Sequence, residues 1–320
     1  MNIMVLASGG DAPGMNACLR AVVRTALSSK CQVLGSRFGY NGLLRDDILK
    51  LTHGSVSNII QRGGSFLGAG RCKQLLTAEG LSQAADCLNR HGVEALIAIG
   101  GDGTFRGLRD LQDVWSGLTV GIPATVDNDA TGSDFTIGFD TAVNTALEAI
   151  DRIRDTAESA ERCFIVEVMG RGSGALAIAA ALAGGAEEVC VPETPTNHQA
   201  LADRIVVGKK AGRMSSIIIR AEGDEGAPTE TLAHELQKVS GVEFRTCVLG
   251  HIQRGGAPTA RDRILASRLG VAAVEAVLSG QGGVIMGEIN GQLAQTSLSE
   301  VGAAQSAGLQ DIRLVNLLSR

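Results

Sequence analysis

The sequence predicts an α/β fold built on parallel sheets, and two observations carry the prediction. Short β-branched runs alternate with helix-length amphipathic segments along almost the whole chain. Such alternation implies parallel strands joined by right-handed crossovers. The second observation is compositional: 44% of the residues are hydrophobic but only 3% are aromatic. The core must therefore be aliphatic and alanine-rich, as suits strands buried on both faces.

Each element has its own run. Strands are expected at Ile3–Ala7, Val33–Ser36, Ala95–Ile99, Thr119–Ile122, Cys163–Val168, Val189–Val191, Ser216–Arg220, Glu243–Val248 and Val284–Met286. Between them, amphipathic periodicity places helices near Met15–Ser29, Val56–Arg62, Ala78–His91, Phe105–Asp110, Thr141–Thr156, Ala175–Ala183, Gln199–Ala211, Thr229–Val239 and Arg261–Ser279. A fresh strand–helix series after the helix at 141–156 suggests a second sheet. The distinctive loops follow the strands ending near 7, 99, 122, 168, 220 and 248. In open parallel sheets, ligands bind at those carboxyl ends.

Bulk properties narrow the function. A length of 320 residues suits one large domain or two smaller ones. A net charge of −5 argues against a nucleic-acid binder. The seven cysteines are dispersed, with no Cys-x-x-Cys pair. That argues against a zinc site and fits a reducing cytosol. The chain opens directly into a strand pattern, without the basic segment and cleavage site of a leader. Its longest apolar stretch, Ala175–Ala183, is too short for a bilayer. A cytoplasmic protein with no membrane partner is expected.

The chemistry sits in the loops. Ser8-Gly-Gly-Asp-Ala-Pro-Gly-Met-Asn16 follows the first strand and opens a helix, offering backbone donors to an anion. It lacks both the GxGxxG spacing of a dinucleotide site and the Lys-Ser/Thr of a P-loop. Gly100-Gly101-Asp102-Gly103-Thr104 ends a buried strand. Its glycines let backbone approach phosphate, and Asp102 is placed to hold Mg²⁺, although an N-cap role is the plainer alternative. Thr125, Asp127 and Asp129 alternate along one loop. If that loop is extended, Asp127 and Asp129 point the same way, one toward an acceptor hydroxyl and one toward a metal. A polar turn around Asn128 is the alternative. Arg162, Arg171, Arg245 and Arg254 lie near strand ends, and arginine forks match phosphate oxygens. These are the parts of a small-molecule kinase acting on a phosphorylated substrate.

Taken together, these segments resemble one family. Ser8–Asn16, Arg62-Gly-Gly-Ser-Phe-Leu-Gly68, Gly100–Gly103, Thr125-Val-Asp-Asn-Asp129, Val166-Glu-Val-Met-Gly-Arg171, Leu249-Gly-His-Ile-Gln-Arg-Gly-Gly256 and Asp262-Arg-Ile-Leu-Ala-Ser-Arg268 are similar to motifs of the bacterial ATP-dependent 6-phosphofructokinases. The resemblance covers nearly the whole chain. It implies two parallel-sheet, three-layer domains with the active site in the cleft between them. An ATP-binding domain would take 1–138 plus 252–305, and a fructose 6-phosphate domain 139–251 plus 306–320.

The resemblance also assigns roles. Asp127 would accept the proton of the sugar 1-hydroxyl, with Thr125 and Asp129 beside it. Asp102 would bind Mg²⁺. Gly10, Arg71, Cys72, Gly101, Asp102, Gly103, Thr104 and Gly107 fall on ATP positions. Thr125, Val126, Asp127, Met169, Gly170, Arg171, Glu222, His251, Ile252, Gln253 and Arg254 fall on sugar-phosphate positions. Arg162 and Arg245 match arginines that reach the sugar phosphate of a neighbouring subunit, which implies a homotetramer with shared active sites. Arg71 and Arg171 would stabilise charge on the phosphoryl group in flight. Arg20, Arg24, Ser57, Arg154, Gly185, Glu187 and Arg213 match effector positions.

The donor and the departures follow from the same resemblance. Pyrophosphate-dependent relatives carry Asp at the position of Gly103 and Lys at that of Ala124; the small residues here favour ATP. Leu76 stands where an Arg is common, and Cys72 where an aromatic packs near adenine. His53, Asn58, Ala211 and Ser215 replace customary effector-site residues, so the effectors stay open. Pyrophosphate as donor, a lipid or NAD kinase sharing Gly-Gly-Asp-Gly-Thr, and a regulatory subunit without turnover are the alternatives. The segments at 166–171 and 249–256 oppose the lipid or NAD kinase. Retention of Asp102, Asp127 and Asp129 opposes the regulatory subunit.

Overall fold

A computed structural model describes residues 1–302 and 308–319. In order, the elements are β1 (Asn2–Ala7), α1 (Met15–Ser28), β2 (Gln32–Ser36), α2 (Tyr40–Arg45), β3 (Ile48–Leu51), α3 (Ala78–Arg90), β4 (Ala95–Gly100), α4 (Asp102–Leu111), β5 (Leu118–Pro123) and α5 (Phe139–Ser159). There follow β6 (Cys163–Val168), α6 (Ala175–Ala183), β7 (Glu188–Cys190), α7 (His198–Lys210), β8 (Ser216–Ala221), α8 (Thr229–Ser240), β9 (Phe244–Val248), α9 (Ala260–Leu278), β10 (Val284–Ile289), β11 (Gln292–Ser297) and α10 (Ile312–Leu318).

The chain divides into two compact units, each with its own sheet. The first comprises Met1–Thr125, Ala130–Thr141 and Arg254–Gln305; the second comprises Val126–Asp129, Ala142–Gln253 and Ser306–Arg320. The first sheet runs β11-β10-β5-β4-β1-β2-β3. Its five inner strands are parallel, and the edge strands β3 and β11 are antiparallel. The second runs β7-β8-β6-β9 and is parallel throughout. The mixed α/β class read from the sequence is therefore the class observed.

Burial explains the uniform apolar runs. Every residue of β4 is buried, as is every residue of β8. A strand covered on both faces has no polar face to alternate with. On the first sheet α1 packs along α9. Gly270 permits that approach: a Cβ there would stand 2.7 Å from the Cβ of Ala21 and 3.0 Å from the carbonyl of Cys18.

The expected helix at Val56–Arg62 is instead a series of turns. Asn58 adopts a left-handed backbone, φ 54°, which interrupts a helix. Sequence periodicity also passed over α2, β3, β11 and α10. Each is short, and β3 and β11 are sheet edges with one partner. Among the described residues, no helix is long and apolar enough to cross a membrane.

Candidate active site

In the first unit, β5, β4 and β1 are adjacent and parallel, so the loops that leave them emerge along one sheet edge. The chain runs outward from β1 to β2 on one side and to β4 on the other. That reversal is where an open α/β sheet leaves room for a ligand. The turn after β1 is pinned on both sides. Ser8 N donates to the Ile99 carbonyl at 2.9 Å, and Gly9 N donates to the Gly70 carbonyl at 3.2 Å. This brings Gly10 and the Arg71 backbone to the same edge as the turn after β4.

That second turn combines a tight glycine with two open ones. A Cβ on Gly100 would stand 2.3 Å from Thr104 Oγ1 and 2.5 Å from the Ser8 carbonyl, so no side chain fits. A Cβ on Gly101 or Gly103 would meet nothing within 4 Å. The space beside those two residues is the room a polyphosphate needs. Thr104 is buried and donates its hydroxyl to the Ser8 carbonyl at 3.2 Å. Tyr40, at the start of α2, donates to the Thr104 carbonyl at 2.7 Å. Burial, ahead of the charge on Asp110, pushes its phenol well above the usual range, so it remains a donor. Asn41 donates to the Arg71 carbonyl at 3.2 Å. Gly107 faces inward against Leu75 and Tyr40, and Cys72 packs half-buried on the same core.

Asp102 is the first residue of α4. Its Oδ1 accepts from Thr131 N at 2.8 Å and its Oδ2 from Thr131 Oγ1 at 3.2 Å. One bond per oxygen orients the carboxylate and leaves lone pairs on both. A partly exposed, hard oxygen donor beside open glycine backbone fits Mg²⁺ carried on phosphates.

The loop after β5 differs from its expectation. Asn128, between the two acids, sits at φ 50°. That removes the extended period-two geometry which would point Asp127 and Asp129 the same way. Asp129 is exposed, Asp127 is partly buried and Val126 is fully buried. The Thr125 carbonyl accepts from Thr136 Oγ1 at 2.6 Å, which fixes the start of the loop.

In the second unit, β8, β6 and β9 are the adjacent parallel strands. Their following loops interlock. Glu222 N donates to the Val168 carbonyl at 2.9 Å and Gly223 N to the Gly170 carbonyl at 3.2 Å. A Cβ on Gly223 would stand 1.9 Å from the Arg171 carbonyl, so only glycine allows the approach. The result places Arg171 Nε 3.7 Å from Glu222 Oε1, with the arginine side chain 79% exposed. Cation and carboxylate thus face solvent as a pair able to read a phosphate and a hydroxyl. His251 and Ile252 are exposed nearby in sequence, after β9.

Gln253 is placed otherwise than its sequence role suggests. Its side chain is fully buried; Oε1 accepts from Met169 N at 2.9 Å and Nε2 reaches the Ala142 carbonyl at 3.5 Å. It holds the Met169 turn in place. Met169 is also buried, so what it and Gln253 offer a ligand is backbone. Arg254 belongs to the first unit, where it lies against Gly10 and donates from Nη1 to the Asp11 carbonyl at 3.1 Å.

Arg162 and Arg245 are not brought to this edge. Arg162 precedes β6, and Arg245 lies beside Phe164 near the start of β9. Both are exposed at the amino ends of the strands whose carboxyl ends carry the Met169–Arg171 and His251 segments. Six residues of strand, about 20 Å, separate the two ends.

The effector candidates divide between the units. In the second, Arg154 donates to the Gly184 and Gly185 carbonyls at 2.7 and 2.8 Å and lies 3.8 Å from Glu187. Arg213 donates to the Ser319 carbonyl. Arg20, Arg24 and Ser57 lie in the first unit, and the buried Nε of Arg24 has no hydrogen-bond partner.

Sequence reading missed the supports. Thr131 carried no motif. Arg220 did carry a signal, a cation at the end of the buried run Ser216-Ile-Ile-Ile. It is fully buried, with bonds to Asp224 Oδ2 at 3.1 Å, Thr229 Oγ1 at 2.9 Å and the Ala227 carbonyl at 2.8 Å. Its network anchors the loop that presents Glu222.

Comparison with known proteins agrees with this architecture. A protein named ATP-dependent 6-phosphofructokinase 1, from Thermus thermophilus, is 52% identical over 93% of this chain and 92% of its own length. One named ATP-dependent 6-phosphofructokinase, from Clostridium botulinum, is 46% identical over 97% of this chain and 96% of its own. Among solved structures, phosphofructokinase from Pichia pastoris in the T-state superposes with a TM-score of 0.90 at 32% identity over 98% of this chain. This chain spans 36% of that longer polypeptide. The family model described as Phosphofructokinase matches residues 2–277. With that match across most of its length and relatives this close, the chain belongs to the phosphofructokinase family.

Proposed function

We propose that this chain is an ATP-dependent 6-phosphofructokinase, transferring the γ-phosphoryl group of ATP to the 1-hydroxyl of fructose 6-phosphate. The observation that carries the reading is the 52% identity, over almost the full length of both chains, to a protein named for that activity. The open glycines at 101 and 103 support ATP as donor. A nucleotide needs the space that a side chain at Gly103 would occupy.

The first unit would hold the nucleotide and the second the sugar phosphate. Gly101 and Gly103 present backbone to the phosphates, and Asp102, oriented by Thr131, holds Mg²⁺, which neutralises phosphate charge when bound. Asp127 takes the proton of the 1-hydroxyl as that oxygen attacks the γ-phosphorus. The bond from phosphorus to the β–γ bridging oxygen breaks, and ADP leaves. Arg71 and Arg171 stabilise the charge shared by entering and leaving oxygens. Glu222 and His251 bind sugar hydroxyls, and Arg171 is steered by its ion pair with Glu222.

The placement of Arg162 and Arg245 at the far ends of β6 and β9 supports shared sites in a homotetramer. Arginines that cannot serve their own sugar site are free to serve a neighbour's. Arg20, Arg24 and Ser57 in the first unit and Arg154, Gly185, Glu187 and Arg213 in the second are the proposed effector residues, and the buried unpartnered Nε of Arg24 suits an anion.

The test is fructose 1,6-bisphosphate formation from fructose 6-phosphate and Mg²⁺, with ATP and pyrophosphate in parallel. Turnover with ATP alone is expected. Turnover with pyrophosphate alone overturns the donor, and none with either in a folded protein that binds the sugar phosphate overturns the activity.

A further inference from the structure

The end of α2 meets the end of α3 through three side chains of metal-binding type. Asp46 caps α2 in a left-handed conformation, φ 57°. That turn aims its carboxylate at the last turn of α3, where Cys87 and His91 stand four residues apart and so share a helix face. His91 Nε2 lies 2.6 Å from Asp46 Oδ1, and Cys87 Sγ lies 3.5 Å from the same oxygen. The three donor atoms all fall within 4.8 Å of one another. Among the described residues no other group of His, Cys, Asp and Glu does so.

We propose that Asp46, Cys87 and His91 form a binding site for a borderline-soft divalent cation of the Zn²⁺ class. Thiolate, imidazole and carboxylate are the ligands such ions take, and three protein ligands leave a fourth position for water. The sequence argued against zinc because it has no Cys-x-x-Cys pair. The fold instead assembles a Cys-x-x-x-His helix face with a carboxylate from another helix. Hard Mg²⁺ does not favour a thiolate, so this site is chemically distinct from Asp102.

The surroundings suit the ion. Arg90 Nη1 holds Asp46 Oδ2 at 2.6 Å, which orients the carboxylate and leaves Oδ1 to the metal. Cys87 is buried, His91 is half-buried and Asp46 is exposed, so the site opens to solvent on one side. Without metal the thiol stays protonated: burial, then its contact with Asp46, pushes it up to about 12. Binding therefore releases the Cys87 proton to solvent. The hydrogen between Nε2 and Oδ1 gives way to the ion, moving to Nδ1 when the imidazole is neutral. Ligand separations of about 3.3–3.8 Å for a tetrahedral ion match the 3.5 Å between Cys87 and Asp46 and require the 2.6 Å His91–Asp46 contact to open. The proposed reaction uses none of these groups.

The experiment is a Co²⁺ titration of the full-length, EDTA-treated protein, read by absorption. The expected result is a thiolate-to-cobalt charge-transfer band that saturates at one ion per chain. Zn²⁺ should displace it, and millimolar Mg²⁺ should not. Cys87→Ser should abolish the band, and His91→Gln should weaken binding at least tenfold, while Cys247→Ser keeps it. His91→Gln changes a partly exposed helix end, so it decides the matter if Cys87→Ser fails to fold. No band, a band insensitive to His91→Gln, or one lost in Cys247→Ser overturns the proposal.

Discussion

Arg254 rests its guanidinium on Gly10: a Cβ there would stand 2.3 Å from Nη1. Glycine at this position keeps the arginine seated on the turn after β1. Gly10→Ala meets only the mobile end of a side chain, so the fold should survive with a melting temperature close to the parent's. Displacing a charge-assisted hydrogen bond costs about 1.5–3 kcal/mol. A substrate KM raised about tenfold or more is expected. A large drop in melting temperature with unchanged KM would show that the contact is structural.

Asp127→Ser should leave fructose 6-phosphate binding largely intact and lower kcat by about 10²–10⁴-fold, the usual contribution of a positioned base. Calorimetric titration of the sugar phosphate beside steady-state kinetics separates the two. Near-parental turnover would remove Asp127 from the proton-accepting role.

Thr131→Val keeps the backbone donor to Asp102 Oδ1 but deletes the hydroxyl that reaches Oδ2 and accepts from Gly302 N at 3.0 Å. The carboxylate loses half its orientation. The Mg²⁺ concentration for half-maximal rate should rise about tenfold, in line with outer partners of metal ligands. An unchanged requirement at equal melting temperature would separate Asp102 from the metal.

Asp262 is buried at the start of α9, where it accepts from Gly138 N at 2.9 Å and from Thr141 N at 2.8 Å. Asp262→Ala strands these donors and should cost roughly 2–5 kcal/mol in denaturant unfolding. Burial raises its carboxyl above the ordinary range, outweighing the bonds that lower it. The folded chain then holds the proton more tightly than the unfolded one. The associated stability is present below the unfolded pKa and is lost as pH rises through the folded value. The stability gap between parent and Asp262→Asn should accordingly narrow as pH rises from about 4.

The strands of the parallel interiors were legible because a strand buried on both faces must be apolar at every position, as Ala95–Gly100 and Ser216–Ala221 largely are. The candidate loop at Gly100–Thr104 stood out because it needs glycine for the close approach at Gly100 and leaves open space at Gly101 and Gly103. What stayed hidden depended on contacts distant in sequence. Thr131 meets Asp102 only after β5 is laid beside β4, and the bend at Asn128 depends on a left-handed residue that an alternating pattern does not reveal. Gln253 falls on a sugar-phosphate position by the resemblance alone; the fold uses its side chain to hold the Met169 turn. Val56–Arg62 has helical spacing and buries Val56 and Ile59, but the left-handed Asn58 folds the segment into turns.

The two ends of β6 have a genetic consequence. Arg162 stands at one end and Arg171 at the other, so a chain that lends the first to a neighbour and uses the second itself is divisible in function. Under the tetramer reading, Arg162→Ser and Asp127→Ser chains are each inactive alone. Co-assembled, they contain some sites in which both defects fall elsewhere. Two null alleles of one gene should then complement each other, recovering a fraction of activity set by the mixing ratio.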